Sequence, residues 1–128
     1  AQEGIQPETS LIAETEFDRQ GGWQAMAALW EAGHRPTAVF AASDLQAIGA
    51  MEFFQGKGIR VPEDVALVGY DDIEMAELLG LSTIRQPMYT MGAEAAESLL
   101  AGLPAAPAEE GWPRVYKPEL VVRKSSGC

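Results

Sequence analysis

Cysteine is almost absent: Cys128 is the single thiol among 128 residues, so no intrachain disulfide can form, and with His34 as the single histidine no Cys/His zinc site can be assembled. Basic residues are scarce as well. Nine Lys and Arg stand against nineteen Asp and Glu, a formal net charge of −10, and that sign repels phosphate backbones and anionic lipid. Direct binding of DNA, RNA or a membrane by this chain is therefore not expected. No apolar run approaches the roughly eighteen residues that a membrane span needs. The first residues (AQEGIQPETS) lack the basic and apolar regions of a signal peptide, so the chain reads as soluble and unprocessed. Phosphate-cradling glycine motifs are missing too: Gly21-Gly22 is an isolated pair, with no G-x-x-x-x-G-K or G-x-G-x-x-G. Neither a cofactor nor a metal is expected.

What is present fits one globular domain, with 47% hydrophobic residues and enough length to bury a core. Residues 11–17 (LIAETEF) read as a strand, and Trp23, Met26, Ala27 and Trp30 then fall at i, i+3, i+4, i+7, the spacing of one helix face. Gly33 and Pro36 end that helix. Residues 37–42 (TAVFAA) form a short unbroken apolar run of the kind buried on both faces. Ser43-Asp44-Leu45-Gln46 reads as a capping box opening a second helix that the Gly56/Gly58 pair closes. Residues 65–70 (VALVGY) repeat the buried-strand pattern and lead into Asp71-Asp72, after which the alternation loosens. A short helical piece is expected near 73–79, an extended stretch at 82–86, a helix carrying Met91 to Leu100, a Pro-rich loop over 103–113, and strand-like ends at 114–116 and 119–123. Strands alternating with helices over short connections predict an α/β fold, a parallel sheet flanked by helices.

Ligands of such sheets bind beyond the carboxyl ends of the strands, where this chain delivers Ser43-Asp44 and Asp71-Asp72. Asp44 is explained by the helix dipole alone; of the adjacent acids Asp71 and Asp72, one can cap the following helix and the other is free. A magnesium-dependent phosphoryl-transfer enzyme would use clustered acids with a nearby cation, but Lys57, Lys117 and Lys124 do not directly follow sheet strands. Carboxylate plus aromatic fits both a glycoside hydrolase and a sugar-binding protein, and composition does not separate them. Phe17, at the end of its strand beside Asp18, fits the core or a ligand platform equally well. His34 sits in a connector and reads as a solvated loop residue, while Trp23 and Trp30 read as core.

Residues 35–74, RPTAVFAASDLQAIGAMEFFQGKGIRVPEDVALVGYDDIE, with STIRQP at 82–87 and ELVVR at 119–123, closely resemble the C-terminal part of the effector-binding domain of LacI/GalR-type bacterial transcription regulators. The resemblance implies a cytoplasmic, non-catalytic, periplasmic-binding-protein-like sensor of two lobes with the effector in the cleft between them. Residues 1–128 correspond to the second lobe, with the last inter-lobe crossover near 82–88. The helix-turn-helix that reaches operator DNA, and most of the first lobe, have no counterpart here. A solute-binding protein of a sugar transporter shares the fold and is the alternative. The family's effector contacts fall on Phe17 (ring stacking), Ser43 (often Asn in relatives), Asp71 (acceptor of hydroxyl or amine hydrogens) and Gln86, with Asp44 and Asp72 as secondary positions. A sugar is the implied effector class, with a nucleobase or nucleoside second. STIRQP is expected to leave the second lobe for the first. The family also dimerises side by side. On the 44–55 helix Ala47, Ile48, Met51 and Phe54 form one apolar stripe and Leu45, Gly49 and Phe53 another on an adjoining face, more apolar width than covering one sheet requires, so Leu45, Ile48, Gly49 and Glu52, with Leu78 and Leu79, are interface candidates for a homodimer.

Overall fold

Side-chain caps set where the core helices begin in the computed structural model, which describes Gln6, residues 8–101 and residues 114–127. The Asp18 carboxylate accepts from the Gly21 amide at 2.7 Å and opens α1 (Arg19–Glu31). The Ser43 hydroxyl accepts from the Gln46 amide at 3.2 Å and opens α2 (Asp44–Gly56). Each oxygen satisfies a donor that the first helical turn cannot pair internally. Only half of the capping box forms. The Gln46 side chain turns away from Ser43 and donates to the Glu16 carbonyl at 3.1 Å, tying the segment before α1 to the first turn of α2. Gly33 and Gly58, with φ of 91° and 71°, supply the left-handed residues that end the two helices.

The sheet runs in the order β1 (Ala38–Phe40), β2 (Ala66–Tyr70), β3 (Ser82–Arg85) and β4 (Glu119–Val121). The first three strands are parallel, with Ala38 opposite Ala66 and Val68 opposite Ser82; β4 lies antiparallel on β3, with Ile84 opposite Leu120. The core forms between this sheet and the α1–α2 pair, around Met26, Ala47, Phe53, Phe54, Leu67 and Leu81. Phe53 takes edge-on contacts from Trp23, Trp30 and Phe54, so the tryptophans do pack on the apolar stripe, although Trp23 keeps 45% of its surface exposed. The α/β class and the parallel sheet are as expected.

Three expectations are corrected. Residues 12–18 belong to no strand. A cavity of about 630 Å³, lined by Leu11, Ile12, Phe17, Val39 and Phe40 among others, separates them from β1. As a consequence β1 is an edge strand and not doubly buried: Phe40 is 63% exposed. In β2, Leu67 and Gly69 are buried while Ala66, Val68 and Tyr70 are half-buried, because α2 covers one face of the sheet and the other is only partly shielded. Third, residues 82–85 do not leave the sheet. They are β3, sealed from the far end of the chain: Ser125 donates to the Leu67 carbonyl at 2.6 Å and accepts from the Ser82 amide at 2.8 Å. The Ser82 hydroxyl meanwhile donates to the Arg123 carbonyl and accepts from its amide.

After Gln86, α4 (Met88–Ala101) runs with no buried residue and Tyr89, Leu99 and Leu100 exposed. Glu94 of this helix accepts from both Arg114 and Tyr116, which fastens the returning chain to α4 before β4. The Pro-rich loop expected at 103–113 lies outside the described residues. The short helix expected near 73–79 is α3 (Glu74–Leu78).

Candidate functional site

Parallel strands bring the ends of β1, β2 and β3 to one edge, and the sequence places acids at two of those ends. The chain leaves β2 through Asp71 and Asp72 with φ of 113° and 56°. Two consecutive non-glycine residues in the left-handed region cost on the order of 1–3 kcal/mol each and persist only where the surroundings over-determine them. Here three hydrogen bonds do so. The Asp71 amide donates to the Ile84 carbonyl at 2.9 Å, the Asp72 amide to Thr83 Oγ1 at 3.3 Å, and the Ile73 amide to Asp44 Oδ2 at 2.9 Å. Asp44 Oδ1 also accepts from Thr83 Oγ1 at 2.6 Å. Gly69 makes that approach possible, because a Cβ there would overlap Asp44 Oδ1.

The acids consequently have separate tasks. Asp44, in the first turn of α2, is fully buried with both oxygens occupied by groups 29 and 39 residues away. Asp72 is paired on both oxygens, with Arg85 Nε at 2.6 Å and an Arg123 guanidinium nitrogen at 2.8 Å. Neither Asp71 nor Asp72 caps α3; Ile73 occupies the N-cap, its amide held by Asp44. Asp71 remains half-buried, and its side-chain hydrogen bond comes from Gln86 Nε2 at 3.2 Å. Burial pushes the Asp71 carboxyl above the usual aspartate range, the nearby Asp44 carboxylate pushes the same way, and the Gln86 amide offsets part of it. Asp71 is thus the acid of this cluster with acceptor capacity to spare. With the oxygens of Asp44 and Asp72 already engaged, the three carboxylates do not converge on a shared point, and among the described residues no group of three His, Cys, Asp or Glu could hold a metal ion.

Of the remaining residues predicted from sequence, Gln86 meets Asp71 directly. Phe17 is 63% exposed and lines the cavity beside β1, a region that includes none of Ser43, Asp71 and Gln86; its link to the strand-end edge is the Glu16–Gln46 bond one residue away. Ser43 is 1% exposed, with its hydroxyl on the α2 cap. Thr83, Arg85 and Arg123 were not singled out from the sequence, and what signal there was lay in the run Thr83-Ile84-Arg85-Gln86, whose polar residues surround the Asp71-Asp72 turn.

The interface candidates also divide. Gly49 is buried against α1, where a Cβ would overlap the Arg19 carbonyl oxygen, and Ile48 is 9% exposed. Both are already buried within the chain, which corrects their place among the interface candidates. Glu52 pairs with Arg19 at 3.4 Å. Leu45, Leu78 and Leu79 remain exposed, joined by Met75.

The family model described as a periplasmic binding protein-like domain matches residues 1–126. The ribose operon repressor of Haemophilus influenzae is 42% identical over 116 residues, covering 89% of this chain and 35% of the repressor. The HTH-type transcriptional repressor CytR of Escherichia coli K12 is 35% identical over 125 residues, covering 96% of this chain and 36% of the repressor. Among solved structures, the transcriptional regulator CelR–cellobiose complex superposes with a TM-score of 0.85 at 35% identity, covering 97% of this chain and 38% of that one. The chain spans about a third of the length of the curated relatives it matches, and those relatives are transcriptional repressors. Among the described residues no helix is long and apolar enough to cross a membrane. Matched by the family model over nearly its whole length and superposable on a regulator solved with cellobiose, the chain belongs to the periplasmic binding protein-like family and is part of a LacI/GalR-type effector-binding domain.

Proposed function

We propose that this chain is the effector-sensing second lobe of a cytoplasmic, non-catalytic transcription regulator and that its effector is a small polyhydroxylated molecule of the sugar class. The observation that carries the reading is the Asp71 turn: a carboxylate held in the left-handed region at the edge of parallel strands, bonded through its side chain to an amide a ligand hydroxyl can replace. Phe17, exposed on the segment that the Glu16–Gln46 bond ties to the first turn of α2, adds an aromatic ring face available for stacking. The cellobiose bound by CelR supports the ligand class. In a full-length regulator, closure of two lobes on the ligand would favour one cleft geometry and so shift the balance of dimers competent to bind operator DNA, which is reached through a helix-turn-helix segment.

Calorimetric titration with D-ribose, cellobiose and adenosine tests the ligand class, adenosine standing for a nucleobase stacked on Phe17. For whichever of them binds, Asp71→Ala is expected to weaken affinity about 10- to 100-fold, the loss of a hydrogen bond to a charged acceptor. Equal affinity in parent and variant removes Asp71 from the site.

The dimer reading rests on Leu45, Met75, Leu78 and Leu79, an exposed apolar group spanning the start of α2 and α3 and suited to a second copy of the chain. Leu78 is 76% exposed, so Leu78→Asp leaves the fold intact and is expected to convert a sedimenting dimer into a monomer. A parent and variant that sediment alike reject this surface.

A further inference from the structure

Asp44 has an ordinary explanation, since an acid in the first turn of a helix interacts favourably with the helix dipole. Such acids stay in water, whereas Asp44 is fully buried with one oxygen on Ile73 and the other on Thr83. We infer that Asp44 and Thr83 are positioning residues for the Asp71 acceptor, holding the Asp71-Asp72 turn in its left-handed conformation from beneath. The inference rests on the reading of Asp71 as the effector's hydrogen-bond acceptor and adds the groups that aim it.

The geometry leaves little else for them to do. Thr83 Oγ1 donates to Asp44 and accepts from the Asp72 amide, so one hydroxyl transmits the position of α2 to the turn. Asp44 reaches past it to the Ile73 amide, which fixes the exit of the same turn. Gly69, the residue before the last of β2, leaves the space that the carboxylate fills. Asp71 is flanked on both sides: its own amide is fixed to β3, and the two following amides are fixed by Thr83 and Asp44. Remove the hydroxyl, and the strain at φ of 113° and 56° has one fewer restraint opposing it. The Asp71 carboxylate would then swing relative to Gln86.

The test needs no ligand. In isotope-labelled protein the Gln86 side-chain amide and the Ile73 backbone amide report the Asp71 and Asp44 hydrogen bonds by their NMR shifts. Thr83→Val keeps the side-chain shape and removes the hydroxyl without altering charge, and Thr83→Ser keeps the hydroxyl. Thr83→Val is expected to move the Gln86 amide toward the shift of a free carboxamide, and Thr83→Ser to return it to the parent position. A folded Thr83→Val whose Gln86 and Ile73 signals match the parent overturns the inference. Should Thr83→Val fail to fold, Asp44→Asn serves in its place, since it keeps one acceptor oxygen and weakens the pair; parent-like Gln86 signals there also overturn it. If the effector reading alone is wrong, the pattern differs: Gln86 still moves in Thr83→Val, while Asp71→Ala leaves ligand affinity unchanged.

Discussion

Alanine in place of Gly49 is expected to destabilise the chain by about 3 kcal/mol, the upper end of the usual overpacking range because the obstacle is backbone, against the roughly 1 kcal/mol that helix propensity alone would add in its favour. The two core helices cross with glycines at the contact. A Cβ on Gly49 would overlap the Arg19 carbonyl oxygen, and one on Gly22 would overlap the Gln46 carbonyl oxygen. Both obstacles are backbone atoms, so no side chain can rotate away and the helices themselves must separate. Separation uncovers Met26 and Phe53, which are buried between them. Domains are stable by only about 5–15 kcal/mol, so much of the available stability is at stake. Urea unfolding followed by far-UV circular dichroism reads the effect. Gly56→Ala is the control: it lies at the end of the same helix with open space around its Cβ position and is expected to be neutral or stabilising by up to about 1 kcal/mol. A Gly49→Ala midpoint at or above that of the parent would mean that the α1–α2 crossing has slack.

Gly49 also shows where reading a sequence stops. Helix periodicity locates two adjoining apolar stripes on α2 but does not say which positions the chain itself covers: Gly49 meets the α1 backbone and Ile48 is buried, while Leu45 stays exposed. Local chemistry was legible: Ser43 caps, Gly33 and Gly58 terminate, and Trp23, Met26 and Trp30 share a face. Each of those depends on neighbours within a turn of helix. Pairing is another matter, because residues 11–17 have strand composition but join the sheet only if a partner lies beside them, and β1 lies across a cavity. The acid cluster divides along the same line. Asp71 and Gln86 were anticipated through the family resemblance, and the structure brings them into contact. The arginines of Asp72 come from positions 13 and 51 residues further along the chain, and no local spacing encodes that convergence.

Asp72→Ala is expected to be the second large loss, about 3–5 kcal/mol, the range for removing one member of a buried ion pair. Asp72 has a side chain 9% exposed, and its partner Arg123 is 15% exposed, so deleting the carboxylate leaves the Arg123 guanidinium buried with the Leu81 carbonyl as its remaining acceptor. Arg85, half exposed, can return to water. Alanine adds strain at φ of 56°, which Asn tolerates, so Asp72→Asn is expected to cost less than Asp72→Ala. Protonation should reproduce part of the effect. Burial raises the Asp72 carboxyl, but hydrogen bonds and charge from Arg123 and Arg85 outweigh it and hold the group below its usual value. A carboxyl depressed on folding contributes stability that is complete above its unfolded pKa and is lost as pH falls through the folded value. Asp71 has the opposite sign: its raised carboxyl contributes stability present in acid and lost as pH rises through the folded value. Unfolding midpoints measured from about pH 2 to pH 7 separate the two acids, since 2 lies below and 7 above the usual aspartate value of about 4. The gap between parent and Asp72→Asn should be widest near neutrality and close in acid, whereas Asp71→Asn should exceed the parent near neutrality and converge with it in acid. Parallel profiles for all three would show that neither acid is perturbed by its site. Opposite profiles would mean that the chain gains stability from the paired Asp72 and gives some up at the half-buried Asp71, the trade-off that the proposed role of Asp71 as an effector acceptor calls for.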